Sequence, residues 1–445
     1  MRKPLLLPKT FRYGVHPEER KDRTASLPIE RMPFVDRYVL PLGQGAGKPA
    51  RPVVVRGERV ERGQLIAEAQ GFVSTDLHSP VTGRIAEIGP RRHPRGDLAD
   101  ALEIEADLFS AQRLLPRAPI EPESLSLEGF IGEVQRAGLV GMGGAAFPTH
   151  VKFKLPEGKR VRRLVINGCE CEPYLTCDHR LMVERPGDVV RGLRIVAAKL
   201  GAERSTIGVE LNKPASIEAL REVIGSDDAI EVAPLRVKYP QGAEKMLIEA
   251  LFGEEVPAGK LPLDIDTLVN NVGTMVGIAD HFDRGQPLIE RVVTVSGPGI
   301  ERPANLIVPV GTPVRAVLDH CGLTADTRQV VLGGPMMGQP ISSLDVPVLK
   351  GTGGILAFTE GEISEGAEYH CIRCGQCLEA CGNFLNPSRL ARLARAGMFE
   401  EMEKLFAEDC MECGACSWVC PSRVPIVHLI RVAKAEIRRR RAREG

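Results

Sequence analysis

The sequence predicts a multidomain protein of mixed α/β and α+β class. Three observations support this: the length of the chain, an alternation of helices and strands in its middle, and two cysteine runs near its end. The 445 residues are too many for one hydrophobic core, so three or four domains are expected. Between residues 163 and 282 the apolar pattern switches repeatedly between strand and helix periods. This predicts a Rossmann-like parallel sheet covered by helices.

The composition narrows the class of protein. The 58 Lys and Arg residues equal the 58 Asp and Glu residues, which argues against a nucleic-acid protein that binds through bulk charge. No run of about 18 apolar residues is present, so no membrane-spanning helix is expected. Proline interrupts the first eight residues too early for a signal peptide. Most of the 12 cysteines lie in two regular runs, so we expect a reducing cytoplasm rather than a disulfide-bonded secreted protein.

The N-terminal part is predicted to be an arm followed by a β-rich domain. Residues 1–30 are polar and Pro-rich and are expected to lie along the surface. In the next domain and its linker, residues 31–125, short β-runs are separated by Gly, as in hairpins. This pattern resembles the β barrel-sandwich domain of biotinyl and lipoyl carriers. The tip that bears the modified lysine in those carriers, here residues 71–78, contains no Lys, so a scaffold or docking surface is expected.

The second domain, residues 126–290, begins with a glycine-rich segment that suits a ligand site. A helix predicted over 126–137 leads into Gly138–Phe153. Glycines let backbone N–H groups approach a phosphate or a flavin ring. Taken alone, such a segment is also compatible with an ordinary turn.

Polar groups at three predicted strand ends strengthen this interpretation. The buried strand Arg163–Asn167 runs into Asn167–Pro173, and two later turns, Tyr239–Lys245 and Asn270–Thr274, are also polar. The carboxyl ends of parallel strands meet at one edge of the sheet, where α/β proteins bind their ligands. The sequence therefore predicts one site built from the glycine-rich segment and these three groups.

The last two domains are predicted at residues 291–355 and 356–445. The first of them has a small sheet crossed by the helix Val314–His320, which fits a β-grasp module, and its Met336–Met337 pair is expected in the core. The second is helical, with helices at Pro387–Ala396, Phe399–Phe406 and Ile426–Arg443 around the cysteine runs.

Both cysteine runs have the spacing C-x2-C-x2-C-x3-C of bacterial two-cluster ferredoxins. Structural zinc usually takes four ligands as two separated pairs, which fits these runs poorly. In such ferredoxins the fourth Cys of each run reaches the other cluster. We therefore assign one [4Fe-4S] cluster to Cys371, Cys374, Cys377 and Cys420, and a second to Cys410, Cys413, Cys416 and Cys381.

Two other patterns leave alternatives open. The basic residues at 438–443 form either a solvated helix end or a contact with anionic lipid headgroups. Cys169, Cys171 and Cys177 suggest either a third metal site or, as we expect, buried thiols packed near the ligand.

The three polar groups and the glycine-rich segment are together similar to the NADH-oxidising, FMN-carrying subunit of respiratory complex I. Residues 138–149 resemble its flavin loop, residues 167–173 its acidic loop, and the turns near 239 and 270 its later site motifs. The domain order, with a barrel-sandwich first and a two-cluster module last, resembles the RnfC family of the Rnf (Rsx) ion-translocating electron transport complex over essentially the whole chain.

The resemblance implies a set of cofactor contacts, with the chemistry carried by FMN and no catalytic side chain. The implied flavin contacts are Gly141, Gly143, Gly144, Lys152, Asn167, Tyr239, Gly242, Asn270, Asn271 and Thr274. For NADH, Phe147 and Phe153 would stack on the adenine, and Glu170, Glu172 and Glu244 would bond the nicotinamide amide or the ribose hydroxyls. Met142 stands where the complex I pattern has a basic residue.

The resemblance also implies a function and a location. It implies a translocase and oxidoreductase subunit that exchanges hydride between NAD(H) and FMN. Two [4Fe-4S] clusters would then pass single electrons to or from ferredoxin or other subunits of the Rnf complex, namely the membrane subunits and the iron–sulfur B subunit. Such a protein lies peripherally on the cytoplasmic side of the inner membrane. Two alternatives remain: a soluble flavin and iron–sulfur reductase of the cobalamin-reductase type, and an electron-transfer adapter without flavin.

Overall fold

The first domain is a sandwich of two antiparallel sheets. A computed structural model describes residues 8–363 and 366–444, so residues 1–7 of the predicted arm lie outside the described residues. The larger sheet has the order β2-β8-β7-β4 and the smaller one β3-β5-β6. After β1 (Ile29–Arg31) the strands are β2 (Arg37–Pro41), β3 (Arg51–Pro52), β4 (Arg59–Val60), β5 (Leu65–Glu68), β6 (Leu77–His78), β7 (Gly83–Arg92) and β8 (Leu98–Ala106).

The N-terminal arm is embedded in the other domains instead of lying on the surface. Val15 forms an isolated bridge with Tyr239 of the second domain, and Phe11 and Val15 are buried. Strand β1 then pairs in parallel with a strand of the third domain, with Ile29 opposite Asn305. Burial of these apolar side chains explains why a Pro-rich, mostly polar segment is held in a defined path.

The second domain is a parallel sheet of four strands with helices around it, in the order β11-β10-β9-β12. Its strands are β9 (Arg163–Gly168), β10 (Arg204–Glu210), β11 (Ile230–Leu235) and β12 (Thr267–Asn271). Its helices are α1 (Leu127–Arg136), α2 (Thr149–Phe153), α3 (Cys177–Glu184), α4 (Pro186–Leu200), α5 (Pro214–Ile224), α6 (Glu244–Phe252) and α7 (Val272–Arg284). Helices α4 and α7 bury Val190, Leu193 and Met275 against each other.

The third domain has a six-stranded mixed sheet, β1-β14-β13-β17-β15-β16, and one helix. Its elements after β1 are β13 (Glu290–Ser296), β14 (Ala304–Pro309), α8 (Val314–Cys321), β15 (Thr327–Leu332), β16 (Gln339–Pro340) and β17 (Gly354–Thr359). Strand β17 pairs with both β13 and β15, so the boundary predicted at residue 355 falls inside this strand. The backbone around Met336 and Met337 lies at a domain contact, and the Met337 side chain is exposed.

The last domain is helical, with short helices at the cysteine runs and longer ones that cover them. They are α9 (Gln376–Glu379), α10 (Pro387–Arg395), α11 (Phe399–Lys404), α12 (Ala415–Trp418) and α13 (Ile426–Glu444). Leu390, Met402 and Ile430 form its core together with the run cysteines Cys377 and Cys416. Within residues 8–363 and 366–444, no helix combines the length and apolar composition needed to cross a bilayer.

Candidate flavin and iron–sulfur site

The glycine-rich segment joins α1 to α2 and faces the start of α7. Gly144 has a φ of +109°, and a Cβ added there would meet no protein atom within 4 Å. The backbone N–H of Met142 donates to Thr274 Oγ1 at 3.1 Å, and the Thr274 hydroxyl donates to the Val140 carbonyl at 3.3 Å. Thr274 is completely buried, so it holds the loop in place from behind. The Gly141 N–H donates to the Phe147 carbonyl at 2.8 Å within the loop, whereas Gly143 and Gly144 are exposed.

The predicted polar groups meet at one edge of the sheet, as their position at strand ends predicts. In the parallel register of β9 and β12, Asn271 lies opposite Asn167. Asn167 Nδ2 donates to the Gly242 carbonyl at 2.8 Å. The Asn271 side chain lies 3.7 Å from the position that a Cβ on Gly143 would take. The structure therefore brings the four predicted segments together at one edge of the sheet.

A cation and a carboxylate lie at this edge. Lys152 Nζ forms an ion pair with Glu244 and donates to the Val269 carbonyl at 3.1 Å. Glu244 is the first residue of α6, where a negative charge is favoured by the helix dipole. Both side chains are only partly buried, so they are accessible to a nucleotide.

Unsatisfied amides at the same edge fit a polar ring such as that of FMN. Among the described residues, Asn270 Nδ2 and both polar atoms of the Gln241 side chain are buried without a hydrogen-bond partner. Buried polar groups are rarely left in this state, so these atoms are suited to a bound ligand. Gln241 was not among the predicted contacts, although its place between Tyr239 and Gly242 could have indicated it.

The two carboxylates of the acidic loop also have a structural role, which was not part of the prediction. Glu170 accepts the backbone N–H groups of Asp178 at 2.7 Å and His179 at 3.1 Å, at the start of α3. Glu172 accepts those of Met336 at 2.9 Å and Met337 at 2.8 Å, from the third domain. An ionised carboxylate has about four acceptor positions, so each keeps positions free beyond these two bonds, and the predicted nucleotide contact stays a prediction.

Phe153 was assigned wrongly to the nucleotide. Its side chain has no exposed surface and stacks on Phe130, with ring centroids 5.7 Å apart. It is therefore part of the core between α1 and α2. Phe147, which precedes α2, is partly exposed and remains the aromatic candidate at the loop.

Cys169, Cys171 and Cys177 do not share a metal site among the described residues. Cys169 Sγ lies 3.8 Å from the Gly208 carbonyl, and Cys171 Sγ accepts the Gly242 N–H at 3.3 Å. Cys177 instead lies with Glu170 and Asp178, whose ligand atoms are within 4.8 Å of one another. Burial raises the pKa of all three thiols, as expected for buried thiols packed near the site.

The second predicted cluster corresponds to a cavity in the last domain. Cys381, Cys410, Cys413 and Cys416 all line this cavity. Four thiolates on one cavity are the ligand set of a [4Fe-4S] cluster. At the first cluster, Cys371 and Cys374 are exposed, and the Tyr369 N–H donates to the Ser422 carbonyl at 2.9 Å, which brings the first run near Cys420.

Hydrogen bonds and an ion pair connect the loop of the second cluster to the predicted flavin site. Tyr239 Oη donates to the carbonyl of Cys413 at 2.6 Å. Lys245 Nζ pairs with Asp409 at 2.9 Å, and the Gly259 N–H donates to the same carboxylate at 3.0 Å. Tyr239 therefore lies between the flavin-site segments and the second cluster.

Fold and site together define an electron-transfer protein with a flavin domain and a two-cluster iron–sulfur domain. Models of four protein families match in that order: the RnfC barrel sandwich hybrid domain at residues 9–108, the Nuo51 FMN-binding domain at 134–280, the SLBB domain at 292–340 and the 4Fe-4S dicluster domain at 368–424. The chain belongs to the RnfC family, the C subunits of ion-translocating oxidoreductase complexes.

Three relatives illustrate this membership. The chain is 42% identical to the C subunit of a proton-translocating ferredoxin:NAD(+) oxidoreductase complex of Clostridium ljungdahlii, over 98% of this chain and 96% of that one. It is 40% identical to the C subunit of a Na(+)-translocating ferredoxin:NAD(+) oxidoreductase complex of Acetobacterium woodii. That alignment covers 96% of this chain and 97% of the relative. The C subunit of the ion-translocating oxidoreductase complex of Rhodobacter capsulatus is 41% identical, over 98% and 84%.

A solved structure shares the fold. The crystal structure of an air-oxidised NAD+-reducing [NiFe]-hydrogenase aligns with a TM-score of 0.51 at 20% identity. The alignment covers 69% of this chain and 60% of that one.

Proposed function

We infer that the chain is the NAD-linked electron-transfer subunit of an ion-translocating oxidoreductase complex. It exchanges hydride between NAD(H) and FMN and passes single electrons through two [4Fe-4S] clusters. The observation that carries this inference is the contact of Tyr239 with Cys413. Through this contact the loop of one cluster touches a segment of the flavin site.

The site residues that we propose for FMN are those that the structure brings to the sheet edge. Gly143 and Gly144 would receive the cofactor on their backbone, and Asn270 and Gln241 would use their unsatisfied amides. Gly141 would shape the loop through its bond to the Phe147 carbonyl. Lys152 and Glu244 would lie at the open side. FMN, when bound, accepts a hydride and releases electrons singly. Asn167, Asn271, Thr274, Gly242 and Tyr239 position these groups.

The domain division is also a proposal. We keep the arm at 1–30, the barrel-sandwich and linker at 31–125 and the Rossmann-like flavin domain at 126–290. Strand β17 favours extending the β-grasp domain from residue 355 to residue 359. The remaining residues form the ferredoxin-like domain.

Partners and location follow from the family. We propose that the chain binds the membrane subunits and the iron–sulfur B subunit of an Rnf complex on the cytoplasmic side of the membrane, and that ferredoxin is a further partner.

The basic residues at the C-terminal end of α13 pair with carboxylates of the same domain. Arg441 pairs with Glu403 and Arg439 pairs with Glu436, which favours a solvated helix end over contact with lipid headgroups.

The second candidate function is a soluble flavin and iron–sulfur reductase. Co-purification with membranes distinguishes the complex subunit from this soluble reductase.

The deciding experiment is an anaerobic titration of the purified chain with NADH, with flavin extraction and iron counting. We expect bleaching of the flavin absorbance, then of the broad cluster absorbance, with about eight irons per chain. Eight irons without flavin or NADH response would instead identify an electron-transfer adapter.

A single substitution separates the flavin from the clusters. Cys374→Ser removes one ligand of the first cluster and is expected to lower the iron content by about four atoms. Flavin reduction by NADH should keep its rate, because Cys374 lies outside the flavin site. Loss of flavin reduction in a variant that still binds FMN would contradict the order flavin first, clusters second.

A further inference from the structure

Two buried cations of the third domain lie beneath the glycine-rich segment. Lys350 is 1% exposed and Arg291 is 4% exposed. Lys350 Nζ donates to the carbonyl of Gly138 at 2.8 Å, where the segment begins. Arg291 Nη2 donates to the carbonyl of Met142 at 3.3 Å, in its middle.

The chain on either side of Lys350 fits closely against the same segment. Lys350 Nζ also donates to the Asp76 carbonyl at 2.7 Å, in the hairpin turn where a carrier domain would bear its lysine. A Cβ on Gly351 would lie 2.8 Å from the Ala146 side chain. Three domains therefore meet at Lys350, and Gly351 has no room for a side chain beside the glycine-rich segment.

Neither cation has an ionic partner in the described part of the chain. No carboxylate lies within 4.0 Å of the Lys350 ammonium or the Arg291 guanidinium, whereas the equally buried Lys213 pairs with Glu210 at 2.9 Å. Burying an unpaired charge costs several kcal/mol. Burial accordingly lowers the pKa of Lys350 to about 7 and lowers the pKa of Arg291.

The nearest carboxylates compensate these charges poorly. Asp76 influences Lys350 only through space, and its side chain accepts the Ala69 N–H at 2.8 Å. Asp178, near Arg291, accepts Asn271 Nδ2 at 2.6 Å. Burial raises the pKa of Asp76 and brings that of Asp178 to about 7, so both carboxyls shift towards the neutral form. Below pH 7, where Lys350 is mostly protonated, the positive charge beneath the loop is thus largely free to act on an anion.

We propose that Arg291 and Lys350 are positioning residues that hold the glycine-rich segment in its cofactor-binding shape and supply the positive potential that favours the anionic charge of bound FMN. This rests on the proposed function, since FMN is the anion that the segment would receive. FMN has a phosphate, and hydride transfer from NADH yields NAD+ and a flavin with one added negative charge until a proton is taken up. Both charges are favoured by cations in a low-dielectric interior.

The test measures FMN affinity and the flavin midpoint potential of the full chain carrying both clusters at pH 6, where Lys350 is mostly protonated. Lys350→Met and Arg291→Met are each expected to weaken FMN binding roughly tenfold. This is the order of the attraction between a unit charge and an anion several Å away at an intermediate dielectric constant. They should also lower the potential, because the reduced flavin loses more stabilisation than the oxidised one. A tenfold difference between the two redox states corresponds to about 30 mV for a two-electron couple.

Two controls separate charge from packing. Lys350→Arg keeps the charge but changes the shape, and should restore most of the potential. Gln135→Leu removes the neutral bonds from Gln135 Nε2 to the Gly71 and Ser74 carbonyls, at 3.0 and 3.1 Å, at the same domain contact. It should leave the potential unchanged.

The outcomes are distinguishable from failure of the proposed function. Wild-type protein that binds no FMN refutes the function itself. FMN-binding Met variants with an unchanged affinity and potential, or a Gln135→Leu shift as large as that of Lys350→Met, overturn the electrostatic role. If a Met variant does not fold, as judged by its iron content, Lys350→Gln and Arg291→Gln remove the same charge while keeping a polar side chain. A lowered potential in these Gln variants supports the proposal, and an unchanged one contradicts it.

Discussion

Glu172 shows how one side chain of the acidic loop connects two domains. Its carboxylate accepts two backbone N–H groups from Met336 and Met337, and Gly334 packs so closely that a Cβ there would lie 2.2 Å from Glu172 Oε2. Burial raises its pKa to about 7, against the lowering effect of these two hydrogen bonds. The carboxyl is therefore expected to titrate in the physiological range.

The pH dependence of stability should report this group. A carboxyl with a folded-state pKa near 7 and an unfolded-state value near 4.5 stabilises the fold below pH 4.5, and this stabilisation is lost as the pH rises through 7. The shift is on the order of 3 kcal/mol. Glu172→Gln is expected to lower the Tm at pH 5, because it loses one hydrogen bond, and to flatten the decline between pH 5 and 8. Thermal melts at several pH values measure both effects.

An exposed carboxylate provides the control for this prediction. Glu231 has a side chain that is 62% exposed, so Glu231→Gln should keep the wild-type pH dependence. An equal decline in Glu172→Gln and wild type would contradict the assignment.

Individual side chains could be predicted where their role depends on local spacing. The cysteine runs determine their ligands through two- and three-residue gaps, and four of the eight line one cavity. Glu170 and Glu172 could not be assigned in this way, because their partners lie on α3 and in the third domain. The prediction that Phe153 stacks on the nucleotide was wrong for a similar reason. The apolar side chain that covers it, Phe130, lies on another helix.

At the scale of elements, the first turn of α6 connects the flavin site to the second cluster. Lys245 of α6 pairs with Asp409, which is followed directly by Cys410. Both side chains are mostly buried, with 24% and 13% exposed. The pair is thus better shielded than a surface ion pair and contributes to the position of the cluster loop.

A charge exchange tests whether this pair positions the second cluster. Lys245→Asp and Asp409→Lys each place like charges together and should slow cluster reduction after flavin reduction by roughly tenfold, as small misplacements do in active sites. The double variant restores opposite charges and should recover part of the rate. Stopped-flow absorbance follows both steps, and the flavin step should not change.

The exposed pair Arg315–Asp345 of the third domain serves as the matched control, so Asp345→Lys should leave both rates unchanged. Equal slowing in the single and double variants would show that the charge pairing itself is unimportant.

Most elements could be predicted because their periodicity is local. The sequence pattern predicts helices at Asp188–Leu200, Ser216–Ile224, Glu244–Phe252 and about 271–282, and helices α4, α5, α6 and α7 lie within a few residues of these limits. It also predicts a strand at Glu231–Tyr239, but strand β11 ends at Leu235, because the chain then leaves the sheet to pair with the arm. The three-residue strand β1 has too little pattern to be recognised, and its partner lies far along the chain.

At the scale of the whole molecule, the arm connects the domains through Lys21. Its ammonium group donates to the carbonyls of Glu170 at 2.9 Å and Glu172 at 2.7 Å, and to that of Leu175. Further along the arm, Arg23 donates to the carbonyls of Gly297 and Ile300 in the third domain. The acidic loop is thus held from the N-terminal end of the chain.

Lys21→Met should loosen the acidic loop. Three carbonyls would lose a charged donor, which we expect to cost roughly 2 kcal/mol. Hydrogen exchange should accelerate at the amides of residues 170–175, and the Tm should fall. The exposed Lys48 provides the control, because Lys48→Met should change neither. Unchanged exchange in Lys21→Met would show that the loop is held by other contacts.

The pairing of β1 with β14 also has a consequence for biosynthesis. Asn305 opposes Ile29, so the ribosome must add 276 further residues (305 − 29) before the partner of Ile29 exists. At about 5–20 residues per second this takes on the order of tens of seconds. During that time strand β1 of the nascent arm has no partner strand, while the first and second domains emerge from the ribosome. The sheet of the third domain can close only late in translation, and an early chaperone contact at the arm would protect the chain during this interval.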